Sequence, residues 1–179
     1  VAPWQVGGTA QVAEVLTREV TLSSDWTYSF VLCSFGSRQE FAASTEYEIM
    51  RWHEGVNDYI RLFFDSTDNK FKVAVKADGD EEETVAETAA KWWHRGATYR
   101  FVVRHAGGRV RASLLGPQAA EHFTAAVDKG GNAMSGARTT VHGSAVPVFP
   151  CVIADEQWSD VSISDAELDG GRYVGAGVC

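Results

Sequence analysis

The chain has 179 residues, of which 45% are hydrophobic and 11% aromatic, and this fits one globular domain spanning residues 1–179. The formal net charge of −8 at pH 7 argues against nucleic acids and anionic lipids as partners, because both repel an acidic protein. No apolar run approaches the roughly 20 residues of a membrane-spanning helix, so we expect no membrane insertion. The N-terminus lacks signal-peptide features, and whether a signal peptide or only an initiator Met was removed stays open.

Apolar and polar residues alternate along most of the chain, which is the pattern of half-buried β-strands. Residues 1–11 are interpreted as an N-terminal arm, residues 118–126 allow one helical turn, and residues 132–144 are expected to form a surface loop. Short strands separated by turn residues predict an all-β domain, a two-sheet antiparallel jelly-roll sandwich. In chain order, strands are predicted at residues 12–22, 26–34, 46–52, 59–64, 71–76, 82–86, 98–104, 109–114, 122–127, 146–153 and 158–164.

The strongest local pattern is a β-hairpin between residues 98 and 114. Tyr99, Phe101 and Val103 share one strand face, which we expect to point into the core. The opposite face carries four arginines: Arg100, Arg104, Arg109 and Arg111. In an acidic protein this basic face is either solvated and paired with acids on neighbouring strands, or a docking surface for an acidic partner or a polyanionic glycan.

Three cysteines are present, Cys33, Cys151 and Cys179, with no Cys-x-x-Cys pair. A disulfide-stapled secreted scaffold has an even and denser set. Cys33 and Cys151 lie in apolar strand-like runs, so we expect both to be buried reduced thiols. No His or Cys pair has the spacing of zinc ligands.

Two segments carry a resemblance to a known superfamily. The first runs Trp93-x-x-Gly96-x-x-Tyr99-x-Phe101-x-Val103 and continues Gly107-Gly108-x-Val110-x-Ala112-x-Leu114, and the second spans residues 158–168. Both segments resemble parts of the laminin-G-like and concanavalin-A-like jelly-roll sandwiches. The first resembles the turn, strand and Gly-bearing hairpin of these domains, and the second resembles their closing strand, which a Leu-bearing turn follows. The resemblance implies two antiparallel sheets, one of them concave. It assigns no function, because this fold hosts lectins, glycanases, lyases, adhesion modules and viral coat accessories.

Tryptophans are the conspicuous candidates for ligand contact. Sugar rings stack on flat aromatic faces, so an exposed tryptophan on a sandwich is a plausible carbohydrate platform. Trp92 and Trp93 point to opposite sides if their segment is extended, and Trp93 matches the packing position of the family. Trp52 and Trp92 are therefore the predicted aromatic contacts.

Catalytic alternatives use the acids and bases near Trp52. Glu46 and Glu48 share a strand face, as the nucleophile and the acid of retaining glycanases do. The family pattern places three acids there, and the next position with the same parity is Met50, which argues against hydrolysis. A polysaccharide lyase would use Arg51, His53 and a tyrosine such as Tyr59, but its signature motifs are missing.

Metal binding is not expected, and no cofactor is predicted. Residues 78–83 form an acidic run with oxygen ligands suited to Ca²⁺, but their order does not match an EF-hand loop. A solvated acidic hairpin tip is the simpler interpretation of this run. The adjacent pair Asp155 and Glu156 is an equally non-specific alternative.

Together these features favour a non-catalytic lectin-like module that acts as a recognition or structural accessory part of a larger assembly. The small size of the domain fits a capsid decoration or tail protein on a phage virion surface. Such a protein would form an oligomer or a multi-copy assembly. A secreted carbohydrate-binding or adhesion module is the alternative, and a polysaccharide hydrolase or lyase is the third. The expected partners are a protein assembly or a glycan, at a virion surface or outside the cell.

Overall fold

The computed structural model describes residues 4–6, 16–34, 36–55, 58–76, 81–92, 94–107, 109–115, 120–122, 126–127, 136–142, 147, 149–162 and 164–169. Within these ranges the protein is a two-sheet antiparallel sandwich, as the sequence predicts. Helical structure in the described residues is limited to a 3₁₀ turn, Arg38–Glu40, and a short helix α1, Asp165–Asp169. Neither of these helices has the length and apolar character needed to cross a membrane.

Sheet A contains the strongly predicted hairpin at its centre. Its strands, numbered in chain order, lie side by side in the order β1 (Trp4–Val6), β13 (Cys151–Ser159), β3 (Trp26–Ser34), β8 (Thr98–Ala106), β9 (Arg109–Leu115) and β10 (Ala120–His122), with β11 (Ala126–Val127) also on β9. In the β8–β9 hairpin Phe101 lies opposite Leu114, and Arg104 lies opposite Arg111. Strand β13 bulges between Ala154 and Gln157.

Sheet B is built around the second predicted hairpin. Its strands in spatial order are β2 (Leu16–Leu22), β12 (Gly136–His142), β4 (Glu46–Gly55), β5 (Asp58–Asp65), β6 (Lys70–Lys76) and β7 (Glu83–Glu87). Strand β4 bulges between Glu48 and Met50, and again near its end.

The hydrophobic core lies between the two sheets and is unusually aromatic. Phe30 and Phe101 from sheet A stack with ring centroids 5.5 Å apart. Phe71 from sheet B meets Phe101 edge to face at 5.1 Å. Phe101 and Val103 are fully buried and Tyr99 packs against the same cluster, so the predicted inward face of β8 is confirmed.

The outer face of sheet A is covered by the segment that follows β13. Leu168 of α1 is fully buried against Val102 and Leu115 on that face. The Thr27 hydroxyl donates to the Val161 carbonyl at 2.7 Å. Ser164 and Glu167 cap the start of α1 through side-chain contacts of 2.9 Å. Residues 160–162 and 164–169 therefore form a partial third layer, which we call the C-terminal cover.

Several local predictions were wrong. Residues 136–142 of the expected surface loop form β12, because this Thr-rich segment has two partner strands, β2 and β4, that satisfy its backbone. The strand predicted at 158–164 ends at Ser159 and gives way to the cover. The helical turn allowed at residues 118–126 is replaced by strands at 120–122 and 126–127, which agree with the strand predicted at 122–127 where that segment is described. Residues 4–6 of the N-terminal arm pair with β13.

The cysteines also differ from expectation. Cys151 is a free, buried thiol as predicted, and burial raises the pKa of this thiol far above its ordinary range. Cys33 is disulfide-bonded, so its prediction as a reduced thiol was wrong, and its partner lies outside the described residues. A disulfide is typical of proteins that fold in an oxidising compartment.

Candidate functional site

Trp92 is the most exposed large apolar side chain that the structure describes. Its side chain is 66% exposed, and the next, Val161, is 60% exposed. Trp92 lies in the connection between β7 and β8. The predicted exposure of Trp92 is confirmed, whereas its neighbour Trp93 lies outside the described residues.

One face of the Trp92 ring rests on a buried arginine. The guanidinium carbon of Arg38 lies 5.6 Å from the centre of the Trp92 ring and 5.4 Å from that of Phe64. Arg38 is 8% exposed, so it is a cation held between an inner and an outer aromatic ring. Such contacts are attractive because the ring faces carry partial negative charge. We call Trp92 with Arg38 beneath it the Trp92 platform.

Hydrogen bonds fix the guanidinium of Arg38 in place. It donates to the Ser66 carbonyl at 3.0 Å, to the Phe41 carbonyl at 3.4 Å and to the side-chain oxygen of Asn69. Arg38 is not among the predicted site residues, because Arg38 lies in a short 3₁₀ turn where neither strand nor helix periodicity applies. The nearest available signal was the Ser37-to-Glu40 capping box, which is present in the structure.

The loop that carries Trp92 is tied down at both ends. On one side the Lys91 amide donates to the Asn69 carbonyl at 2.7 Å, and on the other the Gly96 amide donates to the Ser34 carbonyl at 2.8 Å. Gly96 has a φ of +82°, a conformation that favours glycine. The platform is thus a pre-ordered surface rather than a loose loop.

An ion pair lies beside the platform. Arg95 contacts Glu40 at 2.5 Å, with side chains 70% and 46% exposed. The hydrogen bond from Arg95, followed by that from the Ser37 amide, lowers the pKa of the Glu40 carboxyl. His94, between Trp92 and Arg95, is also exposed. These groups offer hydrogen-bond donors and acceptors to a ligand near the ring.

Trp52, the other predicted aromatic contact, is in the core. Its side chain is 0% exposed and meets Tyr28 edge to face at 5.1 Å. The prediction that Trp52 contacts a ligand at the surface was therefore wrong. The bulge in β4 sets the register that turns Trp52 inward, opposite Ile60.

The four arginines share the outer face of the β8–β9 hairpin as predicted, but two of them are not at the surface. Arg104 is 2% exposed and contacts Asp165 of the C-terminal cover at 2.7 Å. Arg100 is 4% exposed and pairs with Asp155 at the β13 bulge. The expectation that Arg100 and Arg104 form an open docking face was wrong, because the cover and β13 bury them. Arg109 is exposed, and Arg111 is 49% exposed.

The candidate glycanase acids, Glu46 and Glu48, lie on one face of β4, but each is engaged by an arginine. Glu48 is 1% exposed and contacts Arg51 at 2.6 Å, while Glu46 contacts Arg61 at 2.6 Å. The expectation that Met50 takes the next position on this face was wrong. The bulge after Glu48 turns Met50 into the core and places Arg51 on the face instead.

The candidate lyase residues belong to the same outer face of sheet B. The Arg51 guanidinium lies 4.1 Å from the centre of the Tyr59 ring, and the Tyr59 hydroxyl donates to Glu82 at 2.7 Å. Burial, followed by this hydrogen bond to Glu82, raises the pKa of Tyr59. His53 pairs with Tyr59 in register, and its side chain is outside what the structure describes.

Three of the candidate calcium ligands, Glu82, Asp155 and Glu156, are already paired. Residues 78–80 lie outside the described residues, and Glu82 binds Arg61 through contacts of 2.5 and 2.8 Å. Asp155 pairs with Arg100, and Glu156 accepts the Tyr28 hydroxyl. In the described part of the chain, no group of three acidic, His or Cys side chains is placed to hold a metal ion.

Comparison with solved structures identifies the fold. A heptameric SAP-like pentraxin from Limulus polyphemus matches with a TM-score of 0.59 and 11% identity, over 93% of this chain and 79% of the pentraxin. The galectin LEC-6 of Caenorhabditis elegans matches with a TM-score of 0.54 and 12% identity, over 88% and 95% of the two chains. The carbohydrate-binding module CBM66 from Bacillus subtilis matches with a TM-score of 0.50 and 13% identity, over 76% of each.

At the level of sequence, no family model and no curated protein matches the chain. These three structural matches are below 25% identity and so establish architecture alone. With its two antiparallel sheets, the chain has the predicted jelly-roll sandwich fold, which it shares with the pentraxin, the galectin and the carbohydrate-binding module.

Proposed function

We propose that this protein is a carbohydrate-binding module and that the Trp92 platform is its sugar-binding surface. The observation that carries the proposal is the 66% exposure of Trp92 over a buried, hydrogen-bonded Arg38. An exposed indole face gives the apolar side of a sugar ring a flat surface on which to stack. A structural neighbour that bears the name carbohydrate-binding module supports the same assignment.

The chemistry of the platform suits a sugar better than a purely apolar ligand. The apolar face of a pyranose stacks on an indole, and its hydroxyls need donors and acceptors at the rim. Arg95 and Glu40, paired at 2.5 Å and both accessible, supply these groups. Because Arg38 and the loop hydrogen bonds already fix the ring, little conformational entropy is lost when a ligand binds.

We further propose that the protein is not an enzyme. Glu46 and Glu48 are both tied to arginines, whereas a glycanase needs one carboxyl kept protonated beside an ionised one. The raised pKa of Tyr59 keeps more of this hydroxyl protonated than in an ordinary tyrosine. A base that abstracts a proton must be ionised, so Tyr59 is poorly suited to that role. A panel of polysaccharides tests this: we expect no cleavage, and cleavage that disappears in Glu46→Gln would overturn it.

Membership in a larger assembly, including a virion surface, stays a prediction, and the carbohydrate proposal does not depend on it. The disulfide at Cys33 supports a location outside the cell, since cytosolic thiols are kept reduced. Light scattering on the purified protein tests the multi-copy prediction, which a strictly monomeric mass would contradict.

The test of the binding proposal compares Trp92→Ala with Thr84→Ala on a glycan array, followed by calorimetry with the best ligand. Thr84 is an exposed residue on β7 of sheet B, so Thr84→Ala controls for the general effect of a surface change. We expect Trp92→Ala to weaken binding at least tenfold, about 1.4 kcal/mol, because the stacking face is lost. Thr84→Ala should bind as the parent does. Equal affinity of the parent and Trp92→Ala would refute the platform as the binding surface.

A further inference from the structure

A separate cleft opens on the outer side of sheet A, beside the C-terminal cover. Its volume is about 510 Å³, within the range of small-molecule sites. Its walls come from Asp25 just before β3, the β8–β9 hairpin and residues 160–162, 164 and 165. The cleft is lined by charged side chains and by the hydroxyls of Ser162 and Ser164.

Three arginines and three aspartates line the cleft, and only part of this charge is neutralised internally. Arg104 contacts Asp165 at 2.7 Å, and Arg111 reaches the other oxygen of Asp165 at only 3.5 Å. Among the described residues, the side chains of Arg109, Asp25 and Asp160 make no hydrogen bond or ion pair. Two carboxyl groups and one guanidinium therefore line one cavity without a described partner.

The strand order explains why these opposite charges do not meet. Sheet A runs β13, β3, β8, β9, with Asp160 after β13, Asp25 before β3, and Arg109 at the start of β9. Neighbouring strands lie about 4.8 Å apart, so Asp25 and Arg109 are separated by roughly 10 Å across the sheet. Asp25 and Asp160 thus occupy one side of the cleft, and the guanidinium of Arg109 occupies the other.

We propose that this cleft binds a sugar acid, with the ligand carboxylate on Arg109 and Arg111 and its hydroxyls donating to Asp25 and Asp160. A planar guanidinium recognises a carboxylate through two parallel hydrogen bonds. Asp25 and Asp160 lie across the cleft from Arg109, where they can accept hydrogen bonds from hydroxyls on the far side of a monosaccharide ring. A neutral sugar would leave the arginine side without an anion.

This cleft is distinct from the Trp92 platform. The platform loop bonds to Ser34 at the end of β3, whereas the cleft begins at Asp25, before the start of β3. Strand β3 spans Trp26–Ser34, so the two sites lie on the order of 26 Å apart along it. The cleft would be a second carbohydrate-binding site, which rests on the proposed function. Sugar binding at either site can be refuted without refuting binding at the other.

The test is a titration followed by amide chemical shifts, using methyl β-D-glucuronide and methyl β-D-glucoside as probes. The two differ only in a carboxylate against a hydroxymethyl group. We expect the glucuronide to shift the amides of Ala106, Arg111 and Ser162 saturably, and the glucoside to leave them unmoved. Equal shifts from the two probes, or no shift at these amides, would overturn the proposal.

Two arginine variants sharpen the result. Arg109→Gln removes an exposed charge with no described partner, so folding should be unaffected, and we expect the glucuronide affinity to fall about tenfold or more. Arg95→Gln removes an exposed arginine at the platform and should leave the affinity within about twofold, as should Trp92→Ala. Unchanged affinity in Arg109→Gln would refute the site. Loss of the cleft shifts in Trp92→Ala would place the ligand on the platform instead.

Discussion

The buried arginine beneath the C-terminal cover gives the sharpest stability prediction. Arg104 is 2% exposed, contacts Asp165 at 2.7 Å and donates to the Ser113 hydroxyl at 2.8 Å. Arg104→Met keeps much of the side-chain volume but removes the charge. It leaves Asp165 without its nearest cation and Ser113, which is fully buried, without this donor.

The magnitude follows from the burial of the two partners. Breaking a fully buried ion pair costs about 3–5 kcal/mol, and breaking an exposed one about 0–1 kcal/mol. Asp165 is 37% exposed and can be partly rehydrated, so we expect Arg104→Met to destabilise the protein by about 2–3 kcal/mol. Arg111→Met is the matched control, and at 49% exposure and 3.5 Å it should stay within about 0.5 kcal/mol.

Urea denaturation of the parent, Arg104→Met, Asp165→Asn and the double variant measures this as a cycle. The coupling between Arg104 and Asp165 should be about 1–2 kcal/mol, because the residues are in contact. If Arg104→Met changed stability no more than Arg111→Met, the arginine would be solvated and the cover would not pack as described. A zero coupling would mean that Asp165 does not hold Arg104.

Three further outcomes are expected. Phe101→Ala should cost about 3–5 kcal/mol by urea denaturation, and a loss below about 1 kcal/mol would contradict its central packing. Burial alone would raise the pKa of Glu82, but hydrogen bonds from Arg61 and Tyr59 outweigh it and lower the pKa. The stability that Glu82 contributes is therefore fully present near neutral pH and is lost as pH falls below about 4. The loss of unfolding free energy in Glu82→Gln, relative to the parent, should shrink below that pH. A loss that did not depend on pH would refute the ion pair. Denatured protein should show one reactive thiol before reduction and three after it, since three cysteines are present and Cys33 is disulfide-bonded; three before reduction would exclude the disulfide.

The fold was predictable because alternation is a strong signal in paired strands. The predicted strand at residues 26–34 matches β3 at both ends, and the β8–β9 hairpin has the expected inward face. Strand β12 was missed because a Thr- and Gly-containing segment forms a strand only when two partners flank it, and such partners are distant in sequence. The strand propensity of a segment depends on its own residues and does not reveal which strands will lie beside it in the fold.

The candidate site was predictable only in part, for a related reason. Exposure of Trp92 could be inferred because Trp92 and Trp93 point to opposite sides of an extended segment and Trp93 matches the packing position of the family, but Arg38 beneath Trp92 comes from a different connection. Trp52 was misplaced because a one-residue bulge reverses every later side chain on a strand. Alternation alone cannot reveal such a bulge, since Ile49 and Met50 are both apolar and both buried.

The misplaced arginines show where binding surfaces remain in this sandwich. Alternation predicts which residues share a face but not whether a third layer covers that face, and in this protein the C-terminal cover buries Arg104 while β13 pairs with Arg100. The outer face of sheet B offers little open charge either, because Glu46 and Glu82 converge on Arg61 and Glu48 is held by Arg51. A ligand arriving there would have to break several charge-assisted hydrogen bonds at about 1.5–3 kcal/mol each. The two ends of β3 carry no such cost, since Trp92 presents an exposed ring at one end and Arg109, among the described residues, an unpaired guanidinium at the other. Recognition is therefore expected near the two ends of β3 rather than at the middle of either sheet.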